Sequence, residues 1–297
     1  MFQVWSLQRT KPRAVPAQIL DGRAIAAELR AAVTAQSIAL RERAIHPRLI
    51  VTLVGEDDAS TAYVRNLLRA GERTGIAVDV AQLSERATEN EVRDSMRVLG
   101  RDGSVHGVLL QQPLPGHLRI RSIADAIPPN KDVDGANPIN QGRLAFGSGT
   151  DFVPATPLAV MLLLQHSPAW PLRGKRAVTI GRSNVVGLPV ALLMLGADAT
   201  VTVLHKESRT VSTDVKTADV LVAATGVPGL VDGSMLKPGA TVIDVGTTLV
   251  DGRLLGDVDF ESARQVAGAL TPVPGGVGPV TNIALLRNVI KAATPFS

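Results

Sequence analysis

The 297-residue chain has no cysteine. That excludes disulfides, thiol nucleophiles and Cys-ligated zinc, and it fits a reducing compartment, so a cytoplasmic location is the expectation. Aromatic residues make up only 3% of the sequence, with Tyr63 the single tyrosine. Stacking on bases therefore has few donors, and no Lys/Arg block is interleaved with aromatics. The net charge of +4 accordingly points to anionic small molecules rather than to nucleic acid. No apolar run is long enough to span a bilayer, so no membrane partner is expected. Residues 1–18 hold Lys11, Arg13 and two prolines but no apolar stretch of the kind a secretion signal needs. They read as a loose N-terminal extension.

What is present is an alternation of strand-like and helix-like segments, without repeats or low-complexity tracts. It predicts an α/β fold with a mostly parallel sheet. "DGRAIAAELRAAVTAQSIALRE" reads as an amphipathic helix after Asp21, "RLIVTLVG" as a buried strand, and "STAYVRNLLRAGERTG" as a helix with Ser60 at its start and Gly75 at its stop. "AVDVAQL" and "VHGVLLQQPLPG" read as further strands, separated by a helix with a capping-box start at Thr88. A Gly/Pro-rich crossing at "FGSGTDFVPATP" marks a boundary near 147–156, after which the α/β rhythm restarts. The expected organisation is two domains: 19–150, to which a last helix at 279–297 returns, and a nucleotide-binding unit at 151–278.

"AVTIGRSNVVGLPVALLML" is strand, glycine turn and helix, although it lacks the G-x-G-x-x-G spacing. A tight turn with free backbone N–H groups at a helix start favours phosphate, so Gly181, Arg182 and Ser183 are candidate cofactor residues. The next strand, "ATVTVLHK", ends at His205 and Lys206 where an NAD site usually carries an acid. Arg182 and Lys206 suit a 2′-phosphate, which favours NADP. Ligands in open parallel sheets lie beyond the carboxyl ends of the strands, and this adds Thr225, Gly226 and Gly246. Asp244 belongs to the same edge, either facing cofactor or bonded to local backbone N–H groups.

On the substrate side, Tyr63, Gln111 and the pair Asp132 and Asp134 follow three different elements. If the strands are parallel and adjacent, a phenol, an amide and carboxylates converge, a set suited to a nitrogen heterocycle. "TPVPGGVGPVT" fixes one backbone path and permits close ligand approach.

Taken in order, "YVRN", "GVLLQQPLP", "KDVDGANPINQGRL", "VTIGRSNVVGLPVALLML", "VIDVG" and "TPVPGGVGPVT" resemble the methylenetetrahydrofolate dehydrogenase/methenyltetrahydrofolate cyclohydrolase family from about residue 19 to the C-terminus. The resemblance implies an N-terminal α/β substrate domain, a C-terminal Rossmann-like NADP-binding domain, a folate cleft between them and a homodimer. It implies NADP-dependent oxidation of 5,10-methylene- to 5,10-methenyltetrahydrofolate, followed in most members by hydrolysis to 10-formyltetrahydrofolate. Residue by residue, Tyr63 matches the folate-stacking tyrosine, Gln111 the active-site glutamine, Asp134 the pterin-binding aspartate and Ser60 a serine lining the site. Gly275, Gly276 and Pro279 fall in the loop near folate and nicotinamide, and no metal is implied.

The sequence departs from the pattern at one telling place. The family's lysine, four residues after the tyrosine, is Leu67 here. Arg65 and Arg69 lie about 200° around a helix from position 67, and a guanidinium is no base near neutral pH. Hydride transfer needs alignment, whereas hydrolysis needs acid–base help. The expectation is thus a dehydrogenase with weak or absent cyclohydrolase activity. The alternatives are a divergent folate-dependent methylene-transfer enzyme and a non-catalytic folate-binding protein. Ala155, Thr247–Thr248 and Lys206 are smaller departures.

Overall fold

The computed structural model describes residues 17–147 and 152–295. The extension read at 1–18 lies outside them except for Ala17 and Gln18, and part of the expected boundary at 147–156 is outside as well.

The first unit opens with the two-residue strand β1 (Gln18–Ile19) and the long helix α1 (Gly22–Glu42). Asp21 starts α1, its Oδ1 accepting the Arg23 N–H at 2.9 Å, so a donor that the helix cannot satisfy itself finds a partner. Then follow β2 (Arg48–Val54), α2 (Asp58–Thr74), β3 (Ala77–Leu83), α3 (Glu89–Arg101) and β4 (Gly107–Leu110). The three longer strands form a parallel sheet in the order β3-β2-β4. The carboxyl ends of β2 and β4 therefore lie side by side, as convergence of Tyr63 and Gln111 requires. α3 begins with the expected capping box, Thr88 and Glu91 serving each other's backbone N–H. α2 begins differently from expectation. Asp57, not Ser60, caps it, accepting the Ser60 N–H at 2.7 Å. Both residue types cap helices, and the carboxylate three positions earlier has the geometry. Gly75 ends α2 with φ 71°, a left-handed conformation that glycine adopts without a Cβ clash.

A short α4 (Ile120–Ile123) and α5 (Pro138–Phe146) lead to α6 (Ala155–Gln165). The second unit continues as β5 (Arg176–Ile180), α7 (Gly187–Gly196), β6 (Thr200–Leu204), α8 (Val211–Val215), β7 (Val220–Ala223) and β8 (Thr241–Asp244). An antiparallel hairpin of β9 (Thr248–Val250) and β10 (Arg253–Leu255), then α9 (Phe260–Ala263), β11 (Ala269–Leu270) and α10 (Val277–Ala293), complete it. The larger sheet runs β1-β11-β8-β7-β5-β6, every pair parallel. β5, β7 and β8 are almost wholly buried, as near-continuous Val/Ile/Ala runs in a two-sided parallel sheet should be.

Two elements cross between the units. β1 precedes α1 in the chain yet pairs with β11 of the larger sheet. α10 follows the larger sheet yet packs along α1 as well as α6. Its Asn288, buried, donates from Nδ2 to the carbonyls of Val133 (2.7 Å) and Val153 (2.8 Å), tying the segment before α5 to the segment before α6. Leu67 lies in the same apolar cluster, fully buried. Burying such a side chain is worth about 1.5–3 kcal/mol.

Candidate active site

A cleft of about 610 Å³ opens between the units. One wall comes from α1 and α2, with Arg23, Arg30, Tyr63, Asn66, Arg69 and Arg73. The other comes from Asp244, Gly246, Thr247 and the loop Pro272 to Pro279. Of the residues expected at the substrate site, Tyr63, Gly275, Gly276 and Pro279 line this cleft directly. The proline-glycine loop is held close to α1. A Cβ on Gly22 would overlap the Gly276 carbonyl, so only glycine permits that approach.

Tyr63 is half-buried and packs against the core cluster that contains Leu67. Burial raises its phenol pKa well above the ordinary value, and the nearby charge of Asp134 adds to the effect. It stays a neutral phenol, fit to stack and to donate one hydrogen bond. Asp134 accepts the Ala155 N–H at 3.1 Å, at the first turn of α6, where no side chain of the preceding Pro154 can cap. Burial pushes its pKa up to about 7, opposed by that N–H and reinforced by Asp132. Asp132 itself is structural. Fully buried, it accepts the N–H groups of Ala136 (2.9 Å) and Asn137 (2.8 Å) and the Asn140 amide (2.8 Å).

Ser60 and Gln111 sit at the sheet end behind Tyr63 rather than on the cleft wall. Gln111 directly follows β4, its N–H donating to the Thr52 carbonyl at 3.0 Å. Its side-chain amide donates to the Gln112 carbonyl at 2.6 Å, and the Ser60 hydroxyl reaches the same oxygen at 3.4 Å. Tyr63, Ser60, Gln111 and Asp134 thus all belong to the carboxyl edge of the small sheet or the segment beyond it.

The expected cofactor residues fall on the carboxyl edge of the larger sheet. Gly181 follows β5, His205 follows β6, Thr225 and Gly226 follow β7 and Gly246 follows β8. A Cβ on Gly181 would overlap the Ala224 carbonyl, and a Cβ on Gly187 the Gly181 carbonyl. The turn is therefore a cradle of bare backbone. The Ser183 hydroxyl accepts the Val186 N–H at 3.2 Å, while the N–H groups of Arg182, Ser183 and Asn184 have no protein partner among the described residues. Arg182 and Lys206 are exposed, and among the described residues Lys206 meets only Glu207, at 3.8 Å. The His205 ring Nδ1 accepts the Glu207 N–H at 3.3 Å. These residues fit a dinucleotide: amides for a pyrophosphate, two cations for a further phosphate.

Asp244 takes the second of its two expected roles. It accepts the N–H groups of Gly246, Asp257 and Val258, each at 2.9 Å, and burial still pushes its pKa up to about 6. Asp257 was not apparent from sequence. Its Oδ2 accepts both the N–H and the hydroxyl of Thr225 and the Gly226 N–H, so it shapes the loop after β7. A carboxylate's reach to another strand's loop is a tertiary fact that no local pattern announces. Asn66 and the arginines of the cleft were also missed. Asn66 stands inside "YVRN" with no role read for it, and the arginines, spaced along two helices, form no local motif.

The fold and site define a two-domain α/β protein of dinucleotide-dependent type, with its small-molecule site between the domains. Residues 20–134 match the tetrahydrofolate dehydrogenase/cyclohydrolase catalytic domain and residues 154–296 the NAD(P)-binding domain of the same proteins, and the chain belongs to that family. It is 48% identical over 280 residues to the bifunctional protein FolD of Moorella thermoacetica, covering 94% of this chain and 99% of that protein. The crystal structure of the bifunctional FolD methylenetetrahydrofolate dehydrogenase/cyclohydrolase from Campylobacter jejuni is 41% identical and superposes with a TM-score of 0.90, covering 93% and 98% of the two chains. The Trypanosoma brucei enzyme, solved with NADP and an inhibitor, is 37% identical with a TM-score of 0.89, covering 94% and 98%.

Proposed function

We propose that this protein is an NADP-dependent 5,10-methylenetetrahydrofolate dehydrogenase with little cyclohydrolase activity. Relatives described as bifunctional, and one solved with NADP, support the general activity. The observation that carries the finer reading is Leu67, fully buried in the core at the position where the resemblance calls for lysine. Among the described residues, no lysine lines the cleft.

NADP, when bound, supplies the hydride acceptor. The chain's own part in oxidation is alignment: Tyr63 offers a ring face to the folate and the Pro272–Pro279 loop a fixed wall, while Asp134, which is not on the cleft wall, is the acceptor for the pterin edge by the family resemblance alone. Hydrolysis asks for more. Water must be activated and a proton delivered as the ring opens, and such assistance is worth roughly 10²–10⁴-fold. Tyr63 is held neutral and Leu67 has no titratable group. The homodimer and a cytoplasmic setting remain part of this reading.

The test follows methenyltetrahydrofolate and NADPH separately by absorbance. The proposal expects NADPH formation with accumulation of the methenyl product. Equal and brisk rates of formation and hydrolysis would overturn the limited cyclohydrolase, and no NADPH at all would overturn the dehydrogenase.

A further inference from the structure

Two carboxylates stand buried at the carboxyl edge of the larger sheet without a cation. Asp244 is 3% exposed and Asp257 is wholly enclosed. Among the described residues, neither pairs with a lysine, an arginine or a histidine. Asp244 is held by the N–H groups of Gly246, Asp257 and Val258. On Asp257 the donors crowd onto one oxygen. Oδ2 accepts the Thr225 N–H, the Thr225 hydroxyl (2.9 Å) and the Gly226 N–H (3.2 Å). Oδ1 is buried with no hydrogen-bond partner among the described residues.

That bare oxygen has a direction. A Cβ on Gly246 would overlap it, so it lies directly against the Gly246 backbone. Gly246 and Asp244 both belong to the cleft wall contributed by the larger sheet. A Cβ on Gly256 would likewise overlap Asp244 Oδ2, so two glycines admit the two carboxylates. Backbone amides satisfy a carboxylate's hydrogen bonds but leave its charge in place, and burial reduces the screening of that charge. Burial pushes Asp244 up to about 6, opposed by its three N–H donors and reinforced by the charge of Asp257. Above that value this wall is anionic. The four cleft arginines belong to α1 and α2, the other wall.

Hydride donor and acceptor must meet in this cleft, because Tyr63 lines it and the cofactor residues share the sheet edge of Asp244. An oxidised nicotinamide ring carries one positive charge and a reduced ring none. Transfer of a hydride, two electrons with one proton, takes the charge off the ring and leaves it on the N–C–N bridge of the folate product. An anionic wall on the ring's side favours the oxidised cofactor.

We propose that Asp244 and Asp257 form a buried anionic pair that makes the protein bind NADP+ in preference to NADPH. The pair loads the substrate form of the cofactor and loosens its hold once the ring is neutral. This rests on the dehydrogenase reading of the same cleft.

The experiment measures Kd for NADP+ and for NADPH by calorimetric titration at pH 8, on the wild type, Asp257→Asn and Asp244→Asn. In Asp257→Asn the amide oxygen can keep the Thr225 and Gly226 donors while its NH2 takes the place of the bare oxygen, so the charge goes and the loop contacts stay. The wild type should hold NADP+ at least fivefold more tightly than NADPH, and that preference should fall at least threefold in each variant. 2′-Phospho-ADP-ribose, which lacks the ring, should bind all three proteins within twofold. A wild type that binds NADPH as tightly as NADP+ would overturn the proposal, and this arm needs no variant to fold. A ratio unchanged in the variants would overturn it too. So would an equal loss of both forms and of the ring-free analogue, which would mark the carboxylates as scaffold. If neither form binds, the NADP reading falls and the pair with it, whereas binding without discrimination sinks the pair alone.

Discussion

Asp134 joins two roles in one carboxyl group: its charge acts on the Tyr63 phenol and it accepts the first free N–H of α6. Its folded pKa of about 7 stands above the ordinary 3.8, mainly through burial. Between those values the folded state holds more protons than the unfolded one, so this group's contribution to stability falls as pH rises through that window. Asp134→Asn should flatten that dependence, and denaturant unfolding at pH 5 and pH 8 reads it. If the ionised form accepts from the pterin, kcat/KM for methylenetetrahydrofolate rises with pH up to about 7 in the wild type and is level in the variant. A level wild-type profile would remove Asp134 from substrate binding. Leu67→Lys probes the neighbouring position. Placing an ammonium in that core should cost about 3 kcal/mol or more, visible as a lowered denaturation midpoint, while raising hydrolysis relative to hydride transfer. A stable variant with no gain in hydrolysis would show that more than the side chain at 67 has been lost.

Helices and long strands were legible in the sequence because each has a period and punctuation: Asp21 before α1, the Thr88 capping box, Gly75 after α2. The two-residue strands β1 and β11 were not, since two residues carry no period and their pairing is made by the larger sheet. The site divides the same way. Tyr63, Asp134 and the glycine turns stood out through residue type and motif. Asp257 and the cleft arginines act across elements and leave no local trace. The glycine turn before α7 offers a test at this scale. In Gly187→Ala the new methyl would overlap the Gly181 carbonyl, displacing the cradle. NADP affinity, measured by fluorescence titration, should fall at least tenfold, with Tyr63-side folate binding little changed. Unaltered affinity would place the cofactor elsewhere.

At the scale of the molecule, the two sheets are joined by contacts that ignore chain order: β1 with β11, α10 with α1, and Asn288 with the carbonyls of Val133 and Val153. Asn288→Ala leaves two buried acceptors without their donor and should cost about 1–3 kcal/mol of global stability. A change confined to local hydrogen exchange in α10 would mean that the units unfold separately. The return of α10 also bears on how the chain is made. A ribosome releases α1, β2 and α2 early, but the helix that covers α1 emerges only after every strand of the larger sheet. Until then the apolar side of α1 stays open to solvent or to a chaperone. A nascent chain stalled before Val277 should accordingly be cut by protease within α1, and release of the final helix should close that window.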